Sequence, residues 1–137
     1  MILYKITPNN KTVEAHTYDG EYSGMKPLLP YAWLDHARAT SRGDMFFVND
    51  TGLIDGTEEK DGAFWWLHEN GVWQKFVGEA LLWGTRGPEN ADPSLTLDQA
   101  RARISYMKPN GAEEPNILPE VQSFDSPEEM IRFLTGQ

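Results

Sequence analysis

The sequence contains no cysteine, so it can form neither a disulfide framework nor a thiolate metal site. Any zinc site would depend on histidine and carboxylate ligands. A chain without disulfides is typical of a reducing compartment, and we expect this one to act in the cytoplasm.

Long apolar runs are also missing. The N-terminal stretch Met1–Ile6 and the run Ala80–Trp83 are both far shorter than the ~20 residues that a membrane-spanning helix needs. Met1–Ile6 has no basic leader and no small-residue cleavage site, so it predicts a first strand rather than a signal peptide. We expect no membrane span.

Histidine is sparse, and the three residues His16, His36 and His68 have no spacing that would place two ligands on one helical face. The acidic loop from Asp50 to Asp61 has Asp55 where an EF-hand loop needs glycine. The sequence therefore predicts no metal site and no cofactor, and each histidine is expected to be structural.

Signatures of known catalytic sites are absent as well. The sequence has no Gly-x-Ser-x-Gly nucleophile elbow, and Gly84–Gly87 is too short for a phosphate-binding glycine motif. An enzyme of unfamiliar type stays open as an alternative, but it is the least favoured one.

Positive charge is scarce in two segments of a chain whose formal net charge is −9. Residues 49–61 carry five carboxylates against one lysine, and residues 109–129 carry six carboxylates and no base. Because such a surface repels phosphate backbones, a general nucleic-acid-binding role is disfavoured.

Aromatic residues, in contrast, are abundant, at 12% of the 137 residues. This composition and length predict one folded domain over 1–137. Three prolines within residues 109–125 predict an extended acidic strap along its surface.

Strand patterns predominate in the first two thirds of the chain. Ile2–Ile6 and Thr12–Tyr18 predict a hairpin, while Asp44–Val48 and Glu79–Trp83 predict further strands. Pro30 and the spacing of Tyr31, Leu34 and Arg38 predict a short helix over 30–39. The fold class is α+β: a small, mostly antiparallel sheet of about five to six strands with two to three short helices.

The strongest local signal is Asn70-Gly71 between two aromatic-rich runs, which predicts a hairpin of 63–69 with 72–77 around a two-residue type I′ turn. That turn would pair His68 with Trp73, Trp66 with Lys75 and Phe64 with Val77 on one face. Leu67 with Gln74 and Trp65 with Phe76 would share the other face. Both faces are apolar, so one must cover the core, and the other must be covered by a helix or a partner or remain exposed as a patch.

Two helix starts are visible near the C-terminus. Thr96-Leu97-Asp98-Gln99 has the form of a capping box, and Leu97, Ala100, Ile104 and Met107 predict the apolar face of a helix. Ser126-Pro127-Glu128-Glu129 predicts a second helix start.

Two segments, Phe47–Gly56 and Phe76–Gly84, carry an Asn-acid-x-Gly turn and a Val-Gly-acid-Ala strand. In these features the sequence resembles an uncharacterised family of small phage and plasmid accessory proteins. The resemblance covers about a quarter of the chain. It implies a mobile-element origin and an accessory role in the contest with a host cell.

The tryptophans are the main candidates for a binding surface. Their rings suit either the core or a docking face that meets a partner or stacks a base, and both interpretations stay open. Basic side chains nearby would hold a phosphate. The candidate binding residues are Trp65, Trp66, Trp73, Lys75, Trp83 and Arg86, together with the strap carboxylates Glu113, Glu114 and Glu120.

These observations favour a small acidic accessory protein that binds and inhibits or modulates a host protein in the host cytoplasm. The main alternative is a protein that sequesters a nucleotide-like signal molecule without chemistry, in which tryptophans stack the base. The sequence leaves open whether the chain forms an oligomer.

Overall fold

The fold is that of a computed structural model, which describes residues 1–49 and 56–112. Within these residues, no helix is long and apolar enough to cross a membrane. The helix start at Ser126 and most of the predicted strap lie outside the described residues.

Short strands alternate with three short α-helices along the described chain. The elements are β1 (Ile2–Thr7), β2 (Thr12–Thr17), α1 (Tyr22–Met25), β3 (Leu34–Arg38), β4 (Met45–Asn49), α2 (Thr57–Asp61), β5 (Ala63–Leu67), β6 (Trp73–Val77), β7 (Ala80–Arg86), β8 (Glu89–Ala91), α3 (Leu97–Ala102) and β9 (Ile104–Ser105).

The strands form two antiparallel sheets, which confirms the α+β class. The larger sheet has the order β2-β1-β7-β4-β3, with β8 paired to the end of β7, and the smaller one has the order β6-β5-β9. The predicted N-terminal hairpin is confirmed as β1 and β2, and the predicted strands at 44–48 and 79–83 correspond to β4 and β7.

The helix predicted over 30–39 is wrong, because this segment contains β3. Leu34–Arg38 pairs antiparallel with Met45–Asn49 along its whole length. Leu34 and Arg38 are compatible with both helical and strand spacing, and the backbone hydrogen bonds to β4 decide for the strand.

The hairpin predicted at Asn70-Gly71 exists as β5 and β6, but its predicted register is wrong by one residue. Trp66 pairs with Gln74 and Trp65 pairs with Lys75. The loop is longer than predicted, because the N–H of His68 bonds to Val72 O at 2.8 Å and the N–H of Gly71 bonds to His68 O at 2.9 Å. Gly71 has φ +85°, whereas Asn70 does not have positive φ, so the type I′ turn is replaced by a three-residue loop.

The capping box of α3 is confirmed in both of its hydrogen bonds. Thr96 Oγ1 accepts from the N–H of Gln99 at 3.1 Å, and Gln99 Oε1 accepts from the N–H of Thr96 at 2.9 Å. The helix ends at Ala102, earlier than predicted, because Ile104–Ser105 leaves it to pair with β5.

The apolar core lies on both faces of the larger sheet. On one face Phe46 packs against the smaller sheet, with ring centroids 4.9 Å from those of Trp66 and Phe76. On the other face Met25 and Leu29, from the segment that includes α1, cover the larger sheet.

Candidate functional site

The predicted tryptophan face is mostly interior. Trp65, Trp66 and Trp83 are 3%, 0% and 1% exposed. Their burial corrects the expectation that these three rings form a docking or stacking face, since the interpretation as core residues holds for them. Trp73 is half-buried at the start of β6.

Lys75 is also half-buried and is held on the smaller sheet. Its Nζ lies 2.7 Å from Glu58 Oε1 and 6.0 Å from the centroid of the Trp65 ring. Arg86, in contrast, is exposed at the end of β7. Glu113, Glu114 and Glu120 lie outside the described residues.

Arg86 borders an open cleft of about 910 Å³ between the β3–β4 loop and the β7–β8 hairpin. Arg42, which sequence reasoning did not select, lies on the loop side of the same cleft. Neither guanidinium makes a hydrogen bond or an ion pair with the described residues. Two guanidinium groups without a hydrogen bond or ion pair in the described part of the chain therefore border one cavity.

The β3–β4 loop is anchored by Asp44, a carboxylate that is only 1% exposed. Asp44 Oδ2 accepts from Thr40 Oγ1 at 2.5 Å and from the hydroxyl of Ser94, while Oδ1 accepts from the N–H of Ser94 at 2.7 Å. Because a buried carboxylate needs such donors, this network fixes the loop that carries Arg42.

A second tie joins the two arginine-bearing segments directly. Gly43 O accepts from the N–H of Thr85 at 3.0 Å and from its hydroxyl at 2.6 Å. Gly43 follows Arg42 and Thr85 precedes Arg86, so these hydrogen bonds place both arginines beside the same cleft.

Three carboxylates share the cleft with the arginines, namely Asp44, Glu89 and Asp92. Asp44 accepts the three hydrogen bonds described above, and Asp92 Oδ1 accepts from the N–H of Ile2 at 2.8 Å. Glu89 is exposed on the rim. Two of the three carboxylates thus accept hydrogen bonds that hold the fold, whereas the guanidinium N–H groups of Arg42 and Arg86 have no acceptor among the described residues.

A smaller cavity of about 370 Å³ adjoins the cleft, because Arg42 lines both. Leu95 and Ala102 supply apolar surface, and its other polar residues are Thr40, Glu69, Gln99 and Arg103. Arg103 Nη1 donates to Leu67 O at 3.0 Å, and its Cζ lies 6.0 Å from the centroid of the Trp66 ring.

Glu69 is fixed at the entrance of this smaller cavity. Its carboxylate accepts from the N–H of Ser41 at 2.5 Å and from the hydroxyl of Ser41 at 3.0 Å. The hydrogen bond from the Ser41 N–H and then that from its hydroxyl, helped by the charges of Arg103 and Arg42, lower the pKa of Glu69 below its ordinary value. Glu69 is therefore ionised at neutral pH.

A third cavity, of about 330 Å³, contains the tryptophan that sequence reasoning missed. Trp33 is 70% exposed and shares this cavity with Tyr31 and Lys60. Trp33 was placed on a predicted helix, and no local signal in the sequence shows that its ring faces solvent.

Within the part of the chain that the structure describes, no three histidine, aspartate or glutamate side chains are grouped so as to hold a metal ion. Comparisons with protein-family models, with curated proteins and with solved structures find no match to this chain. The geometry of the cavities is thus the basis for a functional proposal.

Proposed function

We propose that this protein is a non-catalytic binding protein that holds a small anionic ligand in the cleft between Arg42 and Arg86. The observation that carries the proposal is the presence, on one cavity of about 910 Å³, of two guanidinium groups that make no hydrogen bond or ion pair with the described residues. Guanidinium groups match phosphate and carboxylate geometry, and their charge-assisted hydrogen bonds are about twice as strong as neutral ones.

The supporting network makes the cleft suitable for binding. Asp44 and the Gly43–Thr85 hydrogen bonds hold the two arginine-bearing segments in place before any ligand arrives. A site that is already formed loses little conformational entropy on binding. Binding of this kind corresponds to the sequestration of a signal molecule. The phage or plasmid origin that the resemblance implies remains part of the proposal.

Isothermal titration calorimetry with inorganic pyrophosphate tests the proposal. We expect the unmodified protein to bind pyrophosphate, and Arg42→Gln and Arg86→Gln each to weaken binding about tenfold or more, because a hydrogen bond to a charged group contributes about 1.5–3 kcal/mol. Arg38→Gln is the matched control, since Arg38 is exposed on β3 and lines none of these three cavities. Undetectable binding, or an equal loss in the Arg38 variant, would contradict the proposal.

A second candidate function is the binding of a host protein, which the exposed ring of Trp33 favours. Tryptophan is enriched among the residues that dominate protein interfaces. The acidic residues Glu113, Glu114 and Glu120 belong to this candidate, because negative charge speeds encounter with a basic partner surface.

Two variants used in pull-down from a host lysate test this second candidate. Trp33→Ala should lose the partner with little change in thermal stability, since its ring is 70% exposed. Replacing Glu113, Glu114 and Glu120 by glutamine should slow association with the captured protein. If the triple variant loses stability but associates at the original rate, these carboxylates serve folding instead.

A further inference from the structure

The two adjoining cavities differ in the chemistry that they offer. The large cleft offers the guanidinium groups of Arg42 and Arg86, whereas the small cavity offers a mixture of apolar and hydrogen-bonding groups. Arg42 lies on both, so a ligand whose phosphate binds Arg42 from the cleft has the small cavity next to it.

Arg103 gives the small cavity a flat surface. Its guanidinium lies over Trp66, with Cζ 6.0 Å from the ring centroid, and Nη1 is held by Leu67 O at 3.0 Å. These two contacts hold the guanidinium at the wall of the small cavity, where its planar group can stack against another planar group. Guanidinium planes and aromatic rings are the surfaces on which proteins stack unpaired bases.

The edges of the small cavity offer both a donor and an acceptor. Gln99 uses its Oε1 for the N–H of Thr96, which leaves its amide N–H groups to donate. Glu69 is held by Ser41 but retains acceptor lone pairs on its carboxylate oxygens. A nucleobase that carries an amino group beside a ring nitrogen has the matching acceptor and donor.

From these contacts we propose that the ligand is a nucleotide, with its phosphate between Arg42 and Arg86 and its base in the small cavity, stacked on Arg103 above Trp66. The proposal rests on the proposed function, because it assumes that the cleft binds the phosphate. It replaces the expected stacking on exposed tryptophans by stacking on an arginine that a buried tryptophan supports.

The test is calorimetric titration with the four common nucleoside 5′-monophosphates and with ribose 5-phosphate, which lacks the base. We expect at least one nucleotide to bind about tenfold or more tightly than ribose 5-phosphate, because stacking of a base contributes about this much or more. If nucleotides and ribose 5-phosphate bind equally well, the nucleotide proposal is wrong while the anion site stands. If none of them binds and pyrophosphate also fails to bind, the proposed function itself is wrong.

Arg103→Lys separates stacking from charge, since lysine keeps the positive charge but lacks the planar group. We expect this variant to lose the additional affinity for the nucleotide over that for ribose 5-phosphate. If the variant binds both ligands equally more weakly, Arg103 acts only through its charge or through the fold, and the proposed stacking is wrong.

A second variant tests the hydrogen bonding to the edge of the base, and it gives a result even if the Arg103 variant does not fold. Gln99→Glu keeps an oxygen for the N–H of Thr96, so the capping box is retained, but it removes the amide donor. Nucleotide affinity should fall several-fold more than ribose 5-phosphate affinity. Equal affinity changes for the two ligands would contradict the position of the base.

A nuclear magnetic resonance measurement locates the base independently of affinity. The indole N–H of Trp66 donates to Ala39 O at 2.9 Å and gives a resolved signal from the ring beneath Arg103. This signal should shift with the nucleotide and stay in place with ribose 5-phosphate. No shift at saturating nucleotide would place the base elsewhere.

Discussion

At the scale of single residues, Tyr31 shows how one hydroxyl joins distant parts of the chain. Its Oη donates to Asp61 Oδ2 at 2.9 Å and accepts from the N–H of Glu79 at 2.8 Å. A Cβ atom on Gly78, which has φ +88°, would lie 2.5 Å from this hydroxyl. Gly78, the glycine of the Val-Gly-acid-Ala strand, therefore leaves the space that the Tyr31 hydroxyl occupies.

Tyr31→Phe should lower the free energy of unfolding by about 1–3 kcal/mol, because the N–H of Glu79 loses its acceptor in a partly buried position. Urea denaturation monitored by tryptophan fluorescence measures the loss. Tyr18→Phe is the control, since the Tyr18 hydroxyl contacts only the weak acceptor Met1 Sδ, at 3.4 Å, among the described side chains. A loss in Tyr31→Phe no larger than that of the control would contradict the bridging role.

Two of the histidines, His36 and His68, make a ring contact and a hydrogen-bond contact. His36 stacks on Tyr22, with ring centroids 6.0 Å apart, and His68 Nε2 lies 2.7 Å from Gln74 Oε1. These contacts agree with the structural role expected for both residues. His68 was expected to face Trp73, and the shift in hairpin register explains why it meets Gln74.

At the scale of elements, the β5–β6 hairpin shows how loop length selects the face of every side chain. The three-residue loop places Phe64, Trp66 and Phe76 together against Phe46 of the larger sheet. A two-residue loop would have moved Phe76 to the opposite face from Trp66, because side chains alternate along a strand.

Gly71→Val should destabilise the protein by about 1–2 kcal/mol, because a β-branched residue resists the φ of +85° that the loop requires. Gly71→Asn is the matched control, since asparagine tolerates this region better, and it should lose clearly less. Thermal denaturation of both variants gives the comparison. Equal losses would indicate that the side chain, and not the backbone conformation, matters at this position.

At the scale of the whole molecule, buried and partly buried tyrosines link stability to pH. Burial is the largest cause that raises the pKa of Tyr4, Tyr18, Tyr31 and Tyr106 above its ordinary value. The folded protein keeps these phenol protons at a pH where the unfolded chain loses them. Stability is therefore full below the ordinary tyrosine pKa of about 10 and falls as pH rises above it.

Urea unfolding at a series of pH values between about 8 and 11 should show this decrease, with the midpoint constant up to about pH 9.5 and falling above it. The absorbance of tyrosinate should increase together with unfolding. A constant midpoint up to pH 11 would contradict the assigned direction of these four pKa shifts.

The sequence by itself determined the features that depend on neighbours along the chain. The absence of cysteine excluded disulfides, Thr96 and Gln99 gave the capping box, and Asn70-Gly71 located a hairpin. Each of these rests on backbone preferences and hydrogen bonds within a few residues, which are readable locally.

Only the tertiary structure decided what is buried and what borders a cavity. Leu34–Arg38 became a strand because β4 offered it hydrogen bonds, and Trp33 became exposed while Trp66 was buried. Arg42 and Arg86 share a cleft because Gly43 and Thr85, far apart in sequence, are hydrogen-bonded. Such contacts depend on the closure of long loops and on competition among many apolar side chains for one core, and no short window of the sequence contains that information.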